Sequence, residues 1–427
     1  MKHSSHSAKR FLMRSAALIM AGVMAAMTGC GKSKDEENKV KFNDLDQTAI
    51  TEAMGLGWNL GNQLEASSGG LPSETCWGNP EITKELIDAV KAQGFKSVRI
   101  PVSYLDMIGD GPEYTIDSDW LDRVQEVVDY VVDNDMFAVV NMHGDGYYTV
   151  DHAWLLCAED DDKQVEIKDK YGKVWKQIAD RFKDYDEHLI FESMNEEFNN
   201  DYGKPDSNAY ENINAYNQIF VDTVRSTGSN NEKRWLLIPG WNTNIEYTAG
   251  DYGFKLPTDE GCKADGKRIM VSVHYYDPYN FTIDENKTAR TQWGKYAVKN
   301  YDNWGQEDYV DQQMQLLNEK FVSQGYPVII GEFGAQDKTE KFADYNEFRR
   351  YWSEYLIKAA KKNGVICIYW DNGYNGDKGF GIIDRNTLEI TQPDLIAGMM
   401  RAINSTDDYE IPSPNGYTEI RKSAKAS

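Results

Sequence analysis

The sequence is poor in the residues that build metal sites and redox motifs. Of its 6 histidines only four lie beyond residue 10, and none of its 5 cysteines forms a CxxC pair. A zinc ribbon, a thioredoxin-type redox motif and the HxH pair typical of metallohydrolase barrels are therefore missing. The sequence also lacks a GxSxG nucleophile elbow and a P-loop. Zinc-dependent hydrolysis, serine-nucleophile chemistry and nucleotide hydrolysis are consequently poor fits.

Positive charge is also scarce. The 46 Lys and Arg residues are outnumbered by 69 Asp and Glu, which gives a formal net charge of -23. A nucleic-acid partner is not expected, because phosphate backbones require clustered Lys and Arg. A neutral ligand fits better. The aromatic content of 12% is compatible both with stacking on sugar rings and with a large core.

Only one apolar run has the features of a targeting segment. Residues 15–27 follow a basic stretch, are too short to span a bilayer, and lead to Gly29-Cys30. This pattern resembles a bacterial lipoprotein signal, in which the chain is cut before a cysteine that is then lipidated. We therefore predict a signal peptide over 1–29, lipidation at Cys30, a polar tether over 30–41, and an exported lipoprotein of the cell envelope or surface. An ordinary signal peptide with a chance cysteine is the alternative.

The remaining cysteines are Cys76, Cys157, Cys262 and Cys367. Cys367 lies in an apolar run and is predicted to be a small core residue. Export permits disulfides, but the spacing does not pair the other three.

Short apolar runs alternate with amphipathic helical patterns along the rest of the chain. Helical periodicity is clearest over 82–93, 120–132 and 349–362. The predicted strands are 55–60, 97–101, 137–143, 189–195, 235–239, 269–275, 328–332 and 365–370. Eight such alternations favour an α/β fold of the (β/α)8 TIM barrel type.

The barrel is expected to form a single catalytic domain over 42–405, followed by an irregular tail over 406–427. An open doubly wound sheet is the structural alternative. That fold normally carries a GxGxxG turn after its first strand, and residues 55–61 lack this spacing.

Polar side chains gather at the C-terminal ends of the predicted strands, where this fold carries its active site. Because side chains alternate along a strand, residues two apart are expected to share a face. This rule places together Asn141 with His143; Glu192 and Met194 with Glu196; Ser272 and His274 with Tyr276; and Ile330 with Glu332. Arg99 ends the second strand.

Each of these residues has an alternative structural interpretation. Arg99 fits a structural ion pair, His143 a core histidine, and Glu332 an acid that faces a loop. Their convergence on one barrel mouth favours a functional site, because buried charges are costly unless they are paired.

Two carboxyls from separate strands suit hydrolysis of a glycosidic bond. A retaining enzyme needs one protonated and one ionised carboxyl, about 5 to 5.5 Å apart. Arg99 is expected to lower the pKa of Glu332, with Tyr276 donating to it, while Glu196 has less positive company and keeps its proton. We therefore predict Glu332 as nucleophile and Glu196 as acid/base, without a metal or cofactor.

These residues resemble glycoside hydrolase family 5, the cellulase family, over about residues 54–404. The match is carried by 192–196, similar to the acid/base motif, by 330–334, similar to the nucleophile motif, and by 98–101, 274–276 and 369–370. The resemblance implies that Asn195 and His143 bind the sugar at the cleavage point. It further implies that His274 and Tyr276 orient the catalytic pair and that Trp370 forms a stacking platform.

Residues 57–62 and 141–146 look most like the endoglucanase and xyloglucanase subfamily 4. Gly144 departs from the adjacent histidine pair usual there, which alters the local loop and one subsite contact. Further candidate substrate contacts are Asn62, Trp154 and Trp241.

The resemblance implies a monomeric, retaining endo-β-1,4-glucanase acting on cellulose, mixed-linkage glucan or xyloglucan. Two alternatives remain at this point. One is an endo-β-mannanase or xylanase of the same family. The other is a catalytically inactive glycan-binding lipoprotein on a barrel of the same shape.

Overall fold

Eight parallel strands close into a barrel in the computed structural model of the protein, which describes residues 41–286 and 288–418. Around the barrel the strands follow the order β1-β8-β7-β6-β5-β4-β3-β2. The (β/α)8 fold predicted from the sequence is therefore confirmed. The strands are β1 Leu56–Leu60, β2 Ser97–Ile100, β3 Phe137–Asn141, β4 Leu189–Glu192, β5 Leu236–Pro239, β6 Ile269–Tyr275, β7 Val328–Phe333 and β8 Val365–Asp371.

Helices surround the barrel and connect its strands. Several begin at an acidic or hydroxyl residue whose side chain accepts a hydrogen bond from the first turn, as Asp117 does from the Trp120 amide. Among the described residues, no helix is both long and apolar enough to cross a bilayer. The helices are α1 Gln47–Met54, α2 Lys84–Ala92, α3 Ser118–Val132, α4 Asp161–Phe182, α5 Ser207–Ser226, α6 Ile245–Ala249, α7 Tyr279–Thr282, α8 Glu307–Lys320, α9 Tyr345–Lys362 and α10 Pro393–Asn404.

The apolar residues form two layers. Inside the barrel, strand residues such as Val139, Ile190 and Ile329 form a compact core that Ile50 and Met54 of α1 close from the N-terminal end. The outward-facing strand residues pack against the helices in a second, larger core. The buried ionisable side chains Arg99, Glu192 and Glu332 gather at the C-terminal mouth, where this fold carries its active site.

The β3 and β4 ladders are shorter than predicted and end at Asn141 and Glu192. Beyond Glu192 the Ser193 carbonyl accepts hydrogen bonds from Tyr171 and Trp175 of α4 instead of continuing the sheet. Strand alternation consequently stops at Glu192.

Parts of the predicted domain organisation lie outside the described residues. These are the signal segment, Cys30, the tether up to residue 40 and the last residues of the tail. Residues 406–418 contain no helix or strand, yet Tyr409, Ile411 and Tyr417 pack against the outer core. All four described cysteines are free thiols.

Candidate active site

A cleft of about 690 Å³ opens at the C-terminal mouth of the barrel. Residues on six of the eight strands, or in the loops that follow them, contribute to its wall. Its lining residues are His143, Tyr147, Glu196, Tyr202, Asn242, Tyr276, Tyr279, Ile283, Glu332, Trp370 and Phe380.

Arg99 is the centre of the polar network beneath this cleft. Its fully buried guanidinium donates to Glu192 at 2.7 Å and to Glu332 at 2.8 Å. It also donates to the side-chain oxygens of Asn59 at 3.1 Å and Asn195 at 2.6 Å. The positive charge is thus shared between two carboxylates, and these four hydrogen bonds all end on oxygens of the site.

Glu196 reaches the mouth by a different route from the one predicted. Met194 packs in the outer core and the Ser193 hydroxyl donates to Asn217 of α5. The expectation that Glu192, Met194 and Glu196 share one face is therefore wrong for Met194. A turn after the strand, rather than strand alternation, brings Glu196 into the cleft.

The direction in which the Glu332 side chain points also depends on an irregularity in its strand. Ile330 belongs to the outer core, so it does not share a face with Glu332 as predicted. In the β6–β7 ladder Val273 pairs with Ile330 and His274 pairs with Glu332, which leaves Gly331 as an extra residue in a β-bulge. A bulge reverses the facing of the residues that follow it, and here it turns Glu332 inward.

The two glutamates lie close together with His274 between them. One carboxylate oxygen of each and a His274 ring nitrogen lie within 4.8 Å of one another. His274 Nδ1 is 2.5 Å from Glu196 and 3.7 Å from Glu332. This separation suits the close carboxyl pair of a retaining glycosidase rather than the wider pair of an inverting one.

Two tyrosines donate hydrogen bonds to the glutamate pair. Tyr147 donates to Glu196 at 2.8 Å, and Tyr276 donates to Glu332 at 3.1 Å. Burial, followed by the neighbouring carboxylates, raises the pKa of both phenols well above the ordinary value. Both tyrosines therefore stay protonated and act as permanent donors.

The electrostatic asymmetry expected from the sequence is wrong, because His274 lies directly beside Glu196. Burial raises the pKa of Glu332, and His274 and Arg99 oppose that shift only in part. Burial raises the pKa of Glu196 as well, but His274, Tyr147 and Arg99 together outweigh it, so the pKa of Glu196 is lowered. The two carboxyls therefore titrate as one pair that holds a single proton between a lowered and a raised pKa.

His143 and Trp370 form one wall of the cleft. Their rings stack with centroids 6.0 Å apart and an interplanar angle of 11°. Burial, then Arg99 and His274, lower the pKa of His143 well below its usual value, so this imidazole is neutral. Asn141 shares a face with His143, as predicted, and contacts its Nδ1 at 3.2 Å. Asn62 follows Gly61, whose α-carbon lies against the Trp370 indole.

Asn195 is fully buried, which the sequence motif does not reveal. Its amide nitrogen donates to Tyr147 at 2.6 Å while its oxygen accepts from Arg99. A direct sugar contact for Asn195 stays a prediction. Strand-end analysis missed Tyr147, because it lies in the loop after β3 rather than on the strand.

Glu197 is a second residue that the sequence analysis missed. It is 1% exposed, and burial, then Asp145 and Glu196, raise its pKa well above the usual value. The neutral carboxyl packs against Gly146, where an added Cβ would overlap it. Glu197 thereby supports the turn that presents Tyr147 to Glu196. Its position directly after the acid/base motif is the only signal in the sequence.

Three of the four candidate substrate contacts, Asn62, Trp154 and Trp241, are not among the residues that line the cleft, and for the two tryptophans the reason is clear. Trp241 is 1% exposed and packs against Tyr210, so its ring has no free face. The indole of Trp154 donates to buried Asp145 at 2.7 Å and lines a separate pocket beside α4. Those two predictions are wrong because an aromatic side chain in a loop near the mouth is as easily buried as exposed.

Comparison with known families agrees with this geometry. The model of the family described as "Cellulase (glycosyl hydrolase family 5)" matches residues 63–376. The chain belongs to glycosyl hydrolase family 5. The resemblance predicted from the sequence motifs is thus confirmed, and this family 5 chain is a glycoside hydrolase.

Individual relatives of the family 5 chain are similar over nearly its whole length. Endoglucanase A of Paenibacillus barcinonensis is 48% identical over 401 residues, which cover 92% of this chain and 98% of that protein. Endoglucanase B of Neocallimastix patriciarum is 36% identical over 381 residues, covering 86% of this chain and 73% of that protein.

Solved structures are also similar to this chain over most of its length. A family 5 xyloglucanase from Paenibacillus pabuli has a TM-score of 0.81 and 52% identity, covering 83% of this chain and 100% of that one. A broad specificity endoglucanase from Bacteroides salanitronis, described as GH5-4, has a TM-score of 0.79 and 37% identity, covering 87% and 99% of the two chains.

Proposed function

We propose that this family 5 enzyme is a retaining endo-β-1,4-glucanase that hydrolyses β-glucan chains such as cellulose, mixed-linkage glucan and xyloglucan. The observation that carries the proposal is the close pair Glu196 and Glu332, set between Arg99 and His274 in an open cleft. The names of its relatives, endoglucanase and xyloglucanase, support the β-glucan backbone.

Glu332 fits the role of nucleophile. Its side chain is 8% exposed, and Arg99 and Tyr276 each hold one of its oxygens. A fixed, hydrogen-bonded carboxylate is suited to attack the anomeric carbon and to leave again when the ester is hydrolysed. Arg99 stabilises the negative charge that returns at that moment.

Glu196 fits the role of acid/base. Its side chain is 24% exposed, so water reaches it more easily than it reaches Glu332. A bound sugar excludes that water and disfavours the charged form of Glu196, which moves the shared proton of the pair onto it. When Glu332 is consumed in the ester, its negative charge disappears, and Glu196 then becomes a base for water.

The test is hydrolysis of a polysaccharide panel by the wild type, Glu332→Gln and Glu196→Gln. We expect Glu332→Gln to abolish turnover of soluble β-glucan and to retain binding, since the amide is isosteric. The first product should be the β-anomer by NMR, and a 2-fluoro glycoside should label Glu332. Glu319→Gln, on the exposed face of α8, is the matched control. An initial α-anomer, or activity on mannan or xylan alone, would contradict the proposal.

We also propose that the enzyme is an exported lipoprotein anchored through Cys30 and active as a monomer. The basic segment, the apolar run and Gly29-Cys30 support the anchor. Metabolic labelling with a radioactive fatty acid should mark the wild type and not Cys30→Ser. A labelled Cys30→Ser protein would contradict the anchor.

A further inference from the structure

The turn after β5 places a strained asparagine in the cleft beside Glu196. Asn242 has φ 48° and ψ 31°, and Thr243 after it has φ 47°. A left-handed backbone is uncommon for residues other than glycine, and it is a genuine outlier for a β-branched residue such as Thr243. Such strain persists only where the surroundings hold it, and it concentrates at functional sites.

Backbone contacts hold this turn in place. The Asn242 amide donates to the Glu197 carbonyl at 2.8 Å, which ties the turn to the residue after Glu196. The Thr243 hydroxyl donates to the Asn242 carbonyl at 2.7 Å and lies 3.4 Å from Glu196. The ends of β4 and β5 are therefore clamped together at the acid/base.

In contrast to the backbone of this turn, the side-chain amide of Asn242 has no hydrogen-bond partner within residues 41–286 and 288–418. The residue nevertheless lines the cleft and is partly buried. A carboxamide offers two donor hydrogens and an acceptor oxygen, which match the hydroxyl groups of a sugar.

The order of the strands fixes the side of the cleft on which Asn242 lies. Glu332 is the next-to-last residue of β7 and Trp370 that of the adjacent β8, while Glu196 follows β4 and Asn242 follows the adjacent β5. In a ring of eight strands β4 and β8 lie opposite each other. The sugar that becomes bonded to Glu332 therefore lies toward Trp370, and the sugar that leaves lies toward Asn242.

We propose that the Asn242 carboxamide hydrogen-bonds the leaving-group sugar, and so selects for sugar leaving groups and sugar acceptors. This inference rests on the proposed glycosidase function. In the second half-reaction an acceptor hydroxyl attacks the anomeric carbon, the bond to Glu332 breaks, and the acceptor proton passes to Glu196. Asn242 holds an acceptor sugar, whereas water needs no such contact.

Asn242→Gly and Asn242→Asp separate this role from a conformational one. Glycine adopts the left-handed backbone freely, and aspartate keeps the shape and tolerates the same backbone, but neither carries the amide donor. Asp135→Gly is the matched control, because Asp135 also has a positive φ and precedes β3 at the opposite end of the barrel.

The measurement compares a cello-oligosaccharide with an aryl β-cellobioside, whose leaving group is not a sugar. We expect the ratio of their kcat/KM values to fall about tenfold in both variants, as loss of one transition-state hydrogen bond implies. The ratio of glycosyl transfer to hydrolysis, with an aryl donor and cellobiose as acceptor, should fall equally. In Asn242→Gly, which adds no charge, both pH limbs of aryl hydrolysis should keep their wild-type positions, and Asp135→Gly should leave both ratios unchanged.

Each other outcome has a distinct meaning. Unchanged ratios in both Asn242 variants would overturn the inference. In Asn242→Gly, an equal loss of transfer and hydrolysis with a shifted pH limb would overturn it too, because Asn242 would then act by positioning Glu196. A wild type inactive on both substrates would instead refute the proposed function.

Discussion

Gly331 occupies the bulge that turns Glu332 into the barrel mouth. It carries no side chain, and its carbonyl accepts a hydrogen bond from Asn59 at 2.8 Å. A Cβ at this position would lie 3.1 Å from His274 Nε2 and 3.3 Å from Ser272 Oγ. The site therefore tolerates nothing larger than glycine without a displacement of His274.

Gly331→Ala should consequently impair catalysis more than folding. The added methyl group pushes His274, which lies 2.5 Å from Glu196, by a few tenths of an ångström. We expect kcat to fall about tenfold, since small misplacements of catalytic groups have large effects. The free energy of unfolding should change by less than about 1 kcal/mol. Gly172→Ala in α4 is the control, and full activity of Gly331→Ala would contradict this account.

His274 also sets the pH range of activity. It opposes the effect of burial on the pKa of both Glu196 and Glu332. Activity requires one proton on the pair, so the acidic limb of kcat/KM follows the lowered pKa and the basic limb follows the raised one.

His274→Gln should move both limbs to higher pH. Without the imidazole both carboxyl pKa values rise, so activity at low pH is lost and activity at the basic edge is extended. The pH dependence of kcat/KM on a soluble β-glucan measures this shift. Limbs that stay in place in an active variant would show that His274 does not control the pair.

At the level of elements, α9 and α10 are joined by one buried carboxylate. Glu354 of α9 is fully buried and accepts from Arg350 at 2.6 Å and from Arg401 of α10 at 2.7 and 2.8 Å. Arg350 in turn donates to the carbonyls of Pro412 and Ser413 in the tail. The network attaches the last helix and the described tail to the barrel.

Glu354→Ala should therefore destabilise the protein strongly. Removal of one partner of a buried ion pair leaves the other charges unpaired, which costs about 3 to 5 kcal/mol. Urea denaturation monitored by fluorescence measures the free energy of unfolding. Glu166→Ala, whose exposed partner Lys163 lies 3.8 Å away, should change it by less than about 1 kcal/mol. Equal effects of the two substitutions would argue against the network.

For the molecule as a whole, the barrel supplies its own positive charge at the active site. Glu196, His274 and Glu332 are near enough together to approach a metal ion, but Arg99 and His274 already neutralise the carboxylates. We expect EDTA to leave the activity unchanged. A loss of activity that an added divalent cation restores would contradict this expectation.

The (β/α)8 fold and the identity of the two catalytic glutamates could be predicted from the sequence, because both leave local patterns in it. Eight apolar runs separated by amphipathic helices predict the strands, and polar residues at their ends predict the mouth. The strand-end rule located Arg99, His143, His274 and Tyr276, since each lies on or next to a regular ladder.

Tertiary structure alone decided the directions in which side chains point beyond those ladders. A bulge at Gly331 and a turn after Glu192 bring Glu332 and Glu196 together, and neither irregularity follows from alternation. Packing also decided that Trp241 is buried and that His274 lies against Glu196. The sequence determined which chemical groups meet at the mouth. Their spacing, their shared proton and the position of the Asn242 amide in the cleft depend on contacts between distant segments, which local patterns do not encode.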